Sequence, residues 1–212
     1  MYTDRAGTQG WEATEIVNQT EKGSYKKSSD IQVAGMLTYY ILSDGKHPFG
    51  DGIRREVNIS EGKFSLSDIQ DITAKDLIEW MINKDKDKRP SIDKVLNHPH
   101  FWDDKRIKDV LHNLGNEDDV QEYKDYENNK KLYDTVQKYT KGKTFSDWRT
   151  KAPETWTKIG KHLPNDLLGL LRYLRNTLGH QKKDFYEKKM IDEFPDFLIS
   201  VHRLAMDMGW EY

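Results

Sequence analysis

The sequence contains no cysteine among its 212 residues. Disulfide bonds, cysteine-ligated zinc sites and thiol catalysis are therefore excluded for this chain. It also lacks any apolar run close to the roughly 20 residues that a membrane-spanning helix needs. Its first residues, MYTDRAGTQGWEATE, lack the apolar segment of a signal peptide. From these absences we expect a cytoplasmic protein that has no membrane partner.

The chain also lacks a strong excess of charge, since 34 Lys and Arg stand against 36 Asp and Glu. No global positive field therefore attracts nucleic acid, and any anion site must be a local cluster. Aromatic residues make up 11% of the chain and include six Trp, which argues against general disorder. No group of His, Asp and Glu has the spacing of metal ligands, so we expect neither a metal nor another cofactor.

Strand signals are few and apolar residues recur at helical spacing, so we expect an all-α protein. The strongest helix signal has five Leu between residues 167 and 174. The character of the sequence changes near residue 102, which predicts two domains, 1–101 and 102–212. Helices are predicted at Asp30–Leu42, Thr73–Asn83, Ser91–Leu96, Asp104–Leu114, Val120–Tyr139 and Asp166–Thr177, and in the closing segment FPDFLISVHRLAMDMGW.

The first half contains four motifs in series: GTQGWEATE (7–15), SSDIQVAG (28–35), HPFG (47–50) and DKDKRPSIDKVLNHPHF (85–101). In their order and spacing they resemble the C-lobe of a protein kinase. The resemblance implies a partly buried ion pair between Glu15 and Arg89, and a structural rather than a chemical role for Asp30.

The residues that perform phosphoryl transfer find no match in the sequence. A Gly-rich phosphate loop, a strand lysine, a catalytic-loop Asp with its Asn, and a DFG-type metal-binding Asp are all missing. The resemblance therefore implies a partial lobe, a pseudokinase remnant without an N-lobe. We expect no ATP binding and no kinase activity.

The second half contains five further motifs: HPHFW (98–102), NLGNEDD (113–119), FSDWRTK (145–151), LLRYLRNTLGH (170–180) and EFPDFL (193–198). Together they resemble the KEN ribonuclease module of ribonuclease L and of the unfolded-protein-response kinase-nucleases. The resemblance implies a helical KEN module with the kinase-like lobe packed on it, an RNA substrate and a homodimer. Trp148 is interpreted as a structural core residue.

Metal-independent RNA cleavage uses the ribose 2′-OH as the nucleophile on the adjacent phosphorus. The reaction needs a base for that hydroxyl, an acid for the leaving 5′-oxygen and positive charge for the phosphate. An imidazole transfers protons near neutral pH, and a guanidinium offers a permanently charged donor fork. The sequence therefore favours an endoribonuclease that acts on single-stranded or loop RNA and leaves a 2′,3′-cyclic phosphate.

Helical spacing places Arg172, Arg175 and Asn176 within one turn. Gly179 should end this helix, so that His180 lies in a loop and folds back over Arg175 and Asn176. The resemblance implies that His180 is the general acid. It implies that Arg175 and Asn176 bind phosphate, and we add Arg172 as a further phosphate contact.

Two positions depart from the family pattern. The family has a Tyr about where His162 stands, thirteen residues before Arg175. His162 is therefore either a substitute base or an exposed loop residue. Ribonuclease L has an Asp near the position of Gly169, where Gly costs a helix about 1 kcal/mol relative to Ala. The competing interpretation is a catalytically decayed scaffold that binds RNA or a related protein.

Overall fold

A computed structural model describes residues 8–18, 26–122, 126–151, 161–178 and 191–212. The regular structure in these residues consists of α-helices and short 3-10 helices, without a strand, which confirms the expected all-α class. The chain divides into an N-terminal unit, Met1–Phe101, and a C-terminal unit, Trp102–Tyr212. Within the described ranges, no helix combines the length and the apolar character needed to cross a lipid bilayer.

The N-terminal unit is built around two helices that pack closely on each other. A Cβ on Gly35 would lie 2.8 Å from both the Ile82 Cγ2 and the Met81 Cβ atoms, so glycine is needed at this contact. The α-helices described in this unit are α1 (Thr14–Val17), α2 (Lys27–Leu42), α3 (Arg54–Glu61), α4 (Ile72–Met81) and α5 (Ile92–Leu96). The central cluster between α2 and α4 includes Met36, Tyr39, Phe49, Ile59, Ala74, Ile78 and Ile82.

Side-chain caps fix where α4 and α5 begin. Asp71 accepts hydrogen bonds from the backbone N–H groups of Thr73, at 2.8 Å, and Ala74, at 3.2 Å. Ser91 accepts one from Lys94 at 3.4 Å, in the capping position that its place before the apolar residues predicted. The sequence did not predict α3, because Ile59 is its only buried residue and apolar spacing has little to act on.

The ion pair expected between Glu15 and Arg89 is present and is shielded from solvent. Arg89 donates from Nη1 to Oε1 at 3.0 Å and from Nη2 to Oε2 at 2.8 Å. The Arg89 side chain is 0% exposed and that of Glu15 is 9% exposed. Arg89 also donates to the carbonyls of Ser28, Asn83 and Lys84, so the pair ties α1 to the start of α2 and to the segment after α4.

Among the described residues, the buried polar contacts near the start of α2 include those of Gln32 and none of Asp30. Asp30 is exposed in the first turn of α2, and within the described residues its carboxylate accepts no hydrogen bond. Gln32, which is fully buried, accepts from the Thr14 N–H at 2.8 Å and donates to the Ile82 carbonyl at 3.2 Å. The helical rotation of about 200° between the two positions turns Gln32 inward and Asp30 outward.

The C-terminal unit surrounds one apolar helix. The α-helices described in this unit are α6 (Asp104–Gly115), α7 (Asp118–Gln121), α8 (Lys130–Thr140), α9 (Trp148–Lys151), α10 (Leu167–Leu178) and α11 (Phe197–Met208). The apolar helix is α10, which contacts α6, α8 and α11, and its five Leu from 167 to 174 are at most 1% exposed.

The single helix predicted at Val120–Tyr139 is wrong. In the structure α7 ends at Gln121, a short 3-10 helix covers Tyr126–Asn128, and α8 starts only at Lys130. Asn129 accepts a hydrogen bond from the Leu132 N–H at 3.2 Å and so caps a new helix. Asn competes with the helix interior for backbone donors, which is why it starts α8 instead of continuing an earlier helix.

Candidate functional site

Three polar side chains occupy one half-buried face of α10. Arg172, Arg175 and Asn176 are each partly exposed, whereas Leu171 and Leu174 between them are buried in the core. This separation follows from the 3.6-residue period, which turns the Leu residues inward and the polar residues toward the end of α6. We call these three residues the guanidinium face.

The end of helix α6 holds Arg175 in a fixed orientation. Arg175 donates from Nε to the Asn116 Oδ1 atom at 2.8 Å, and its Nη2 donates to the same oxygen. Its Nη1 donates to the Asn176 side-chain oxygen at 3.2 Å. Arg172 Nη1 lies 3.5 Å from the Gly115 carbonyl, at the limit of a hydrogen bond. Residues from two helices therefore meet at this face.

The acceptors around Arg175 are neutral. Both Asn116 and Asn176 contribute amide oxygens, and within the described parts of the chain no Asp or Glu forms an ion pair with Arg175. A half-buried guanidinium without a counter-charge is strongly disposed to bind an anion. Its planar fork matches two oxygens of a phosphate. The guanidinium face therefore has the chemistry of a phosphate site.

Gly115 allows Arg175 to approach α6. A Cβ at position 115 would lie 2.5 Å from the Arg175 Cγ atom, so any side chain there would displace the arginine. Asn116 follows as the residue that ends α6. In the sequence both residues are only part of the NLGNEDD turn, and their contacts with Arg175 were not predicted. The available signal was a glycine and a short amide side chain together in a motif shared with the resembled family.

The other end of α10 is fixed by a contact that excludes a side chain at position 169. A Cβ on Gly169 would overlap the Pro164 carbonyl, which also accepts a hydrogen bond from the Trp148 Nε1 at 3.2 Å. Asp166 accepts from the Gly169 N–H at 3.0 Å and so caps the helix start. The Gly that departs from ribonuclease L is thus required by packing. Trp148 is 1% exposed and packs against Tyr173.

His162 is exposed in the turn before α10. Among the described residues it forms no hydrogen bond with Arg175 or Asn176. Gly179 and His180, predicted to end the helix and to provide the acid, lie outside the described residues. In those residues no three His, Asp or Glu side chains are grouped to hold a metal ion.

Comparison with known proteins gives matches to both halves of the chain. Residues 1–101 match the protein kinase domain family. The chain is 29% identical, over 98% of its length, to the sensor for unfolded proteins in the ER ire1 of Schizosaccharomyces pombe. It is 29% identical over 94% of its length to the serine/threonine-protein kinase/endoribonuclease IRE1a of Arabidopsis thaliana. It is 30% identical over 91% to the inactive serine/threonine-protein kinase/endoribonuclease IRE1-like of the same plant.

This chain covers only part of each relative, spanning 23%, 25% and 38% of their respective lengths. The match nevertheless continues from the kinase-like region through the helical region that carries the guanidinium face. The chain therefore consists of a C-lobe segment of a protein kinase domain followed by a C-terminal region, and over most of its length it is homologous to the IRE1 family of kinase/endoribonucleases.

Proposed function

We propose that this chain is a metal-independent endoribonuclease whose phosphate site is the guanidinium face. The observation that carries the proposal is the orientation of Arg175, which Asn116 and Asn176 fix through neutral oxygens. The kinase/endoribonuclease named among the relatives supports the same reaction class. In this proposal Arg175 and Asn176 bind the scissile phosphate, and Arg172 contacts the same or a neighbouring phosphate.

The reaction that fits these groups is a transesterification. The ribose O2′ forms a bond to the phosphorus while the bond from phosphorus to O5′ breaks. A base takes the proton of the 2′-OH, and His180 gives a proton to O5′ as it leaves. The Arg175 guanidinium stabilises the negative charge that accumulates on the phosphate oxygens. The products are a 2′,3′-cyclic phosphate and a free 5′-hydroxyl.

The proposal extends to the substrate and the assembly. The RNA is single-stranded or in a loop, because its backbone must adopt an in-line geometry. The active form is a homodimer, as the family resemblance implies. The chain does not bind ATP and has no kinase activity, because its 212 residues lack the phosphoryl-transfer motifs.

Cleavage of a stem-loop RNA in excess EDTA is expected from the wild-type chain and is expected to be lost in His180→Ala. Removing a general acid lowers such rates by about 10²–10⁴-fold. Arg175→Ala should show a similar loss, because the phosphate charge is then uncompensated. The measurement is the initial rate, with the cyclic phosphate end identified by its resistance to phosphatase until the ring is opened in acid.

Lys131→Ala is the matched control for Arg175→Ala, since Lys131 is an exposed cation on α8 in the same unit. Its rate should stay within about twofold of wild type, as for a surface change remote from the site. Equal cleavage by wild type and His180→Ala would identify a contaminating nuclease. No cleavage by wild type at any concentration would reject the enzyme.

His162 is retained as the candidate base, and His162→Ala should then slow cleavage by about 10²-fold. His162→Tyr, which restores the residue type of the resembled family, should keep more activity than His162→Ala. The pH dependence of the initial rate is the measurement, because loss of a base removes the acidic limb of the profile. A full rate in His162→Ala would exclude this residue as the base.

A second candidate function is a catalytically decayed scaffold that binds RNA or a related protein. One relative of similar identity is named as inactive, which favours this alternative. The scaffold retains the phosphate site and lacks turnover. RNA binding that is weakened by Arg175→Ala, together with no cleavage in any condition, would distinguish it from the enzyme.

A further inference from the structure

The amide that orients Arg175 comes from outside α10, and it is uncharged. Asn116 Oδ1 accepts from both the Nε and the Nη2 of Arg175, in the arrangement that a carboxylate oxygen adopts toward a guanidinium. An Asp side chain has nearly the same shape as Asn. It would offer the same geometry and would also neutralise the arginine. The amide of Asn116 therefore orients Arg175 but leaves its positive charge uncompensated.

The Asn116 side chain is itself fixed, so that its oxygen faces Arg175. Its Nδ2 donates to the His112 carbonyl at 2.8 Å, one turn earlier in α6. Gln121 donates to the Gly115 carbonyl at 2.8 Å and holds the end of α6 in place. The absent Cβ of Gly115 gives the arginine room beside it. These contacts determine which end of the amide the guanidinium meets.

A phosphate binds a guanidinium most tightly where no carboxylate competes for the same N–H groups. Asn116 occupies two donors of Arg175 without removing its charge. We infer that Asn116 is a positioning residue of the RNA site, which holds Arg175 in place and by its neutrality keeps the full positive charge available to an RNA phosphate. This inference rests on the proposed function, because it assigns RNA as the anion.

The test replaces Asn116 by Asp in the full chain and measures binding of a stem-loop RNA with 2′-O-methyl riboses, which cannot be cleaved. Asn116→Asp should keep the wild-type melting temperature yet weaken RNA binding about 10-fold at constant salt. The slope of log affinity against log salt should fall in magnitude by about one phosphate contact. A merely structural role for Asn116 would leave that slope unchanged.

Asn113→Asp is the matched control, since Asn113 is exposed on the same helix and gains the same charge. It should change RNA affinity by less than about threefold, because exposed charges are screened within roughly 10 Å at ordinary ionic strength. If Asn116→Asp binds RNA with wild-type affinity and slope, the inference is overturned while the endoribonuclease proposal stands.

A second arm keeps the inference separate from the proposed function. The ¹⁵Nε–H resonance of Arg175 is followed while inorganic phosphate is added. A shift in wild type that is absent in Asn116→Asp supports the role of Asn116, and an equal shift in both proteins overturns it. If the wild-type chain binds no RNA, the proposed function fails, and this phosphate titration alone decides whether Asn116 keeps Arg175 available to anions.

Discussion

Arg89→Leu is expected to lower the free energy of unfolding of the N-terminal unit by about 3–5 kcal/mol. The substitution leaves the Glu15 carboxylate, which is 9% exposed, without its charged partner. It also removes the donor to three backbone carbonyls between residues 28 and 84. Native-state hydrogen exchange at the amides of α2 and α4 measures this unit separately from the rest of the chain.

Two variants serve as controls for the buried pair. Lys63→Ala breaks an exposed pair with Glu61 in the same unit and should leave the free energy of unfolding nearly unchanged. Replacing both Glu15 and Arg89 by Leu should recover part of the loss, because no isolated charge then remains buried. A cost for Arg89→Leu similar to that for Lys63→Ala would show that the pair does not hold the unit together.

The same ion pair makes the stability of the N-terminal unit depend on pH in the acidic range. Burial alone would raise the pKa of Glu15, but hydrogen bonds from Arg89 and Ser29 outweigh it and hold the pKa below the ordinary value of 4.5. The contribution of Glu15 to stability is therefore full above that value and is lost as the pH falls through the lowered pKa. The stability difference between wild type and Arg89→Leu should shrink over that acidic range.

Gly169→Ala is expected to destabilise the C-terminal unit by about 3 kcal/mol, since overpacking a core contact usually costs 1–3 kcal/mol and the obstacle here is backbone. Ordinarily, Gly→Ala within a helix is stabilising by about 1 kcal/mol. The sign reverses because the new Cβ would overlap the Pro164 carbonyl. Gly169→Asp should be worse still, so restoring the carboxylate of ribonuclease L should not activate this chain. Urea unfolding of both variants measures the effect.

Gly142→Ala is the control that measures the free-energy cost of replacing a glycine where the new Cβ meets no other atom. A Cβ at residue 142 would meet nothing within 4 Å, but its backbone has a φ of +72°. That substitution should therefore cost only about 1 kcal/mol, the usual strain of a left-handed conformation. If Gly169→Ala lowers the free energy of unfolding by less than Gly142→Ala does, the Pro164 carbonyl can move aside and glycine is not required at position 169.

Helices whose apolar spacing or capping residue lies within a few residues of sequence could be predicted from the sequence alone. The Leu residues of α10 and the cap at Ser91 predict their helices, since both signals lie within a few residues of sequence. The same logic placed Arg172, Arg175 and Asn176 on one face. It failed at Val120–Tyr139, where helical composition concealed the new start capped by Asn129.

The hydrogen-bond partner of Arg175 could not be predicted from local sequence patterns. Asn116 and Arg175 are 59 residues apart, and periodicity carries no information about which side chains meet across two helices. The need for Gly169 was hidden for the same reason, because the obstacle is a carbonyl in the preceding turn and not a neighbouring side chain. Only the Glu15–Arg89 pair, 74 residues apart, was expected in advance, through the kinase resemblance.

The two glycine contacts of α10 have a consequence for how this segment can evolve. Gly169 meets the Pro164 carbonyl near one end of the helix, and Gly115 meets Arg175 near the other. Each added residue advances a helix by about 1.5 Å and turns it by about 100°. A single insertion or deletion between positions 169 and 175 would break one contact or the other. A change in the length of this stretch is therefore harder to accept than a substitution that keeps the volume of the side chain.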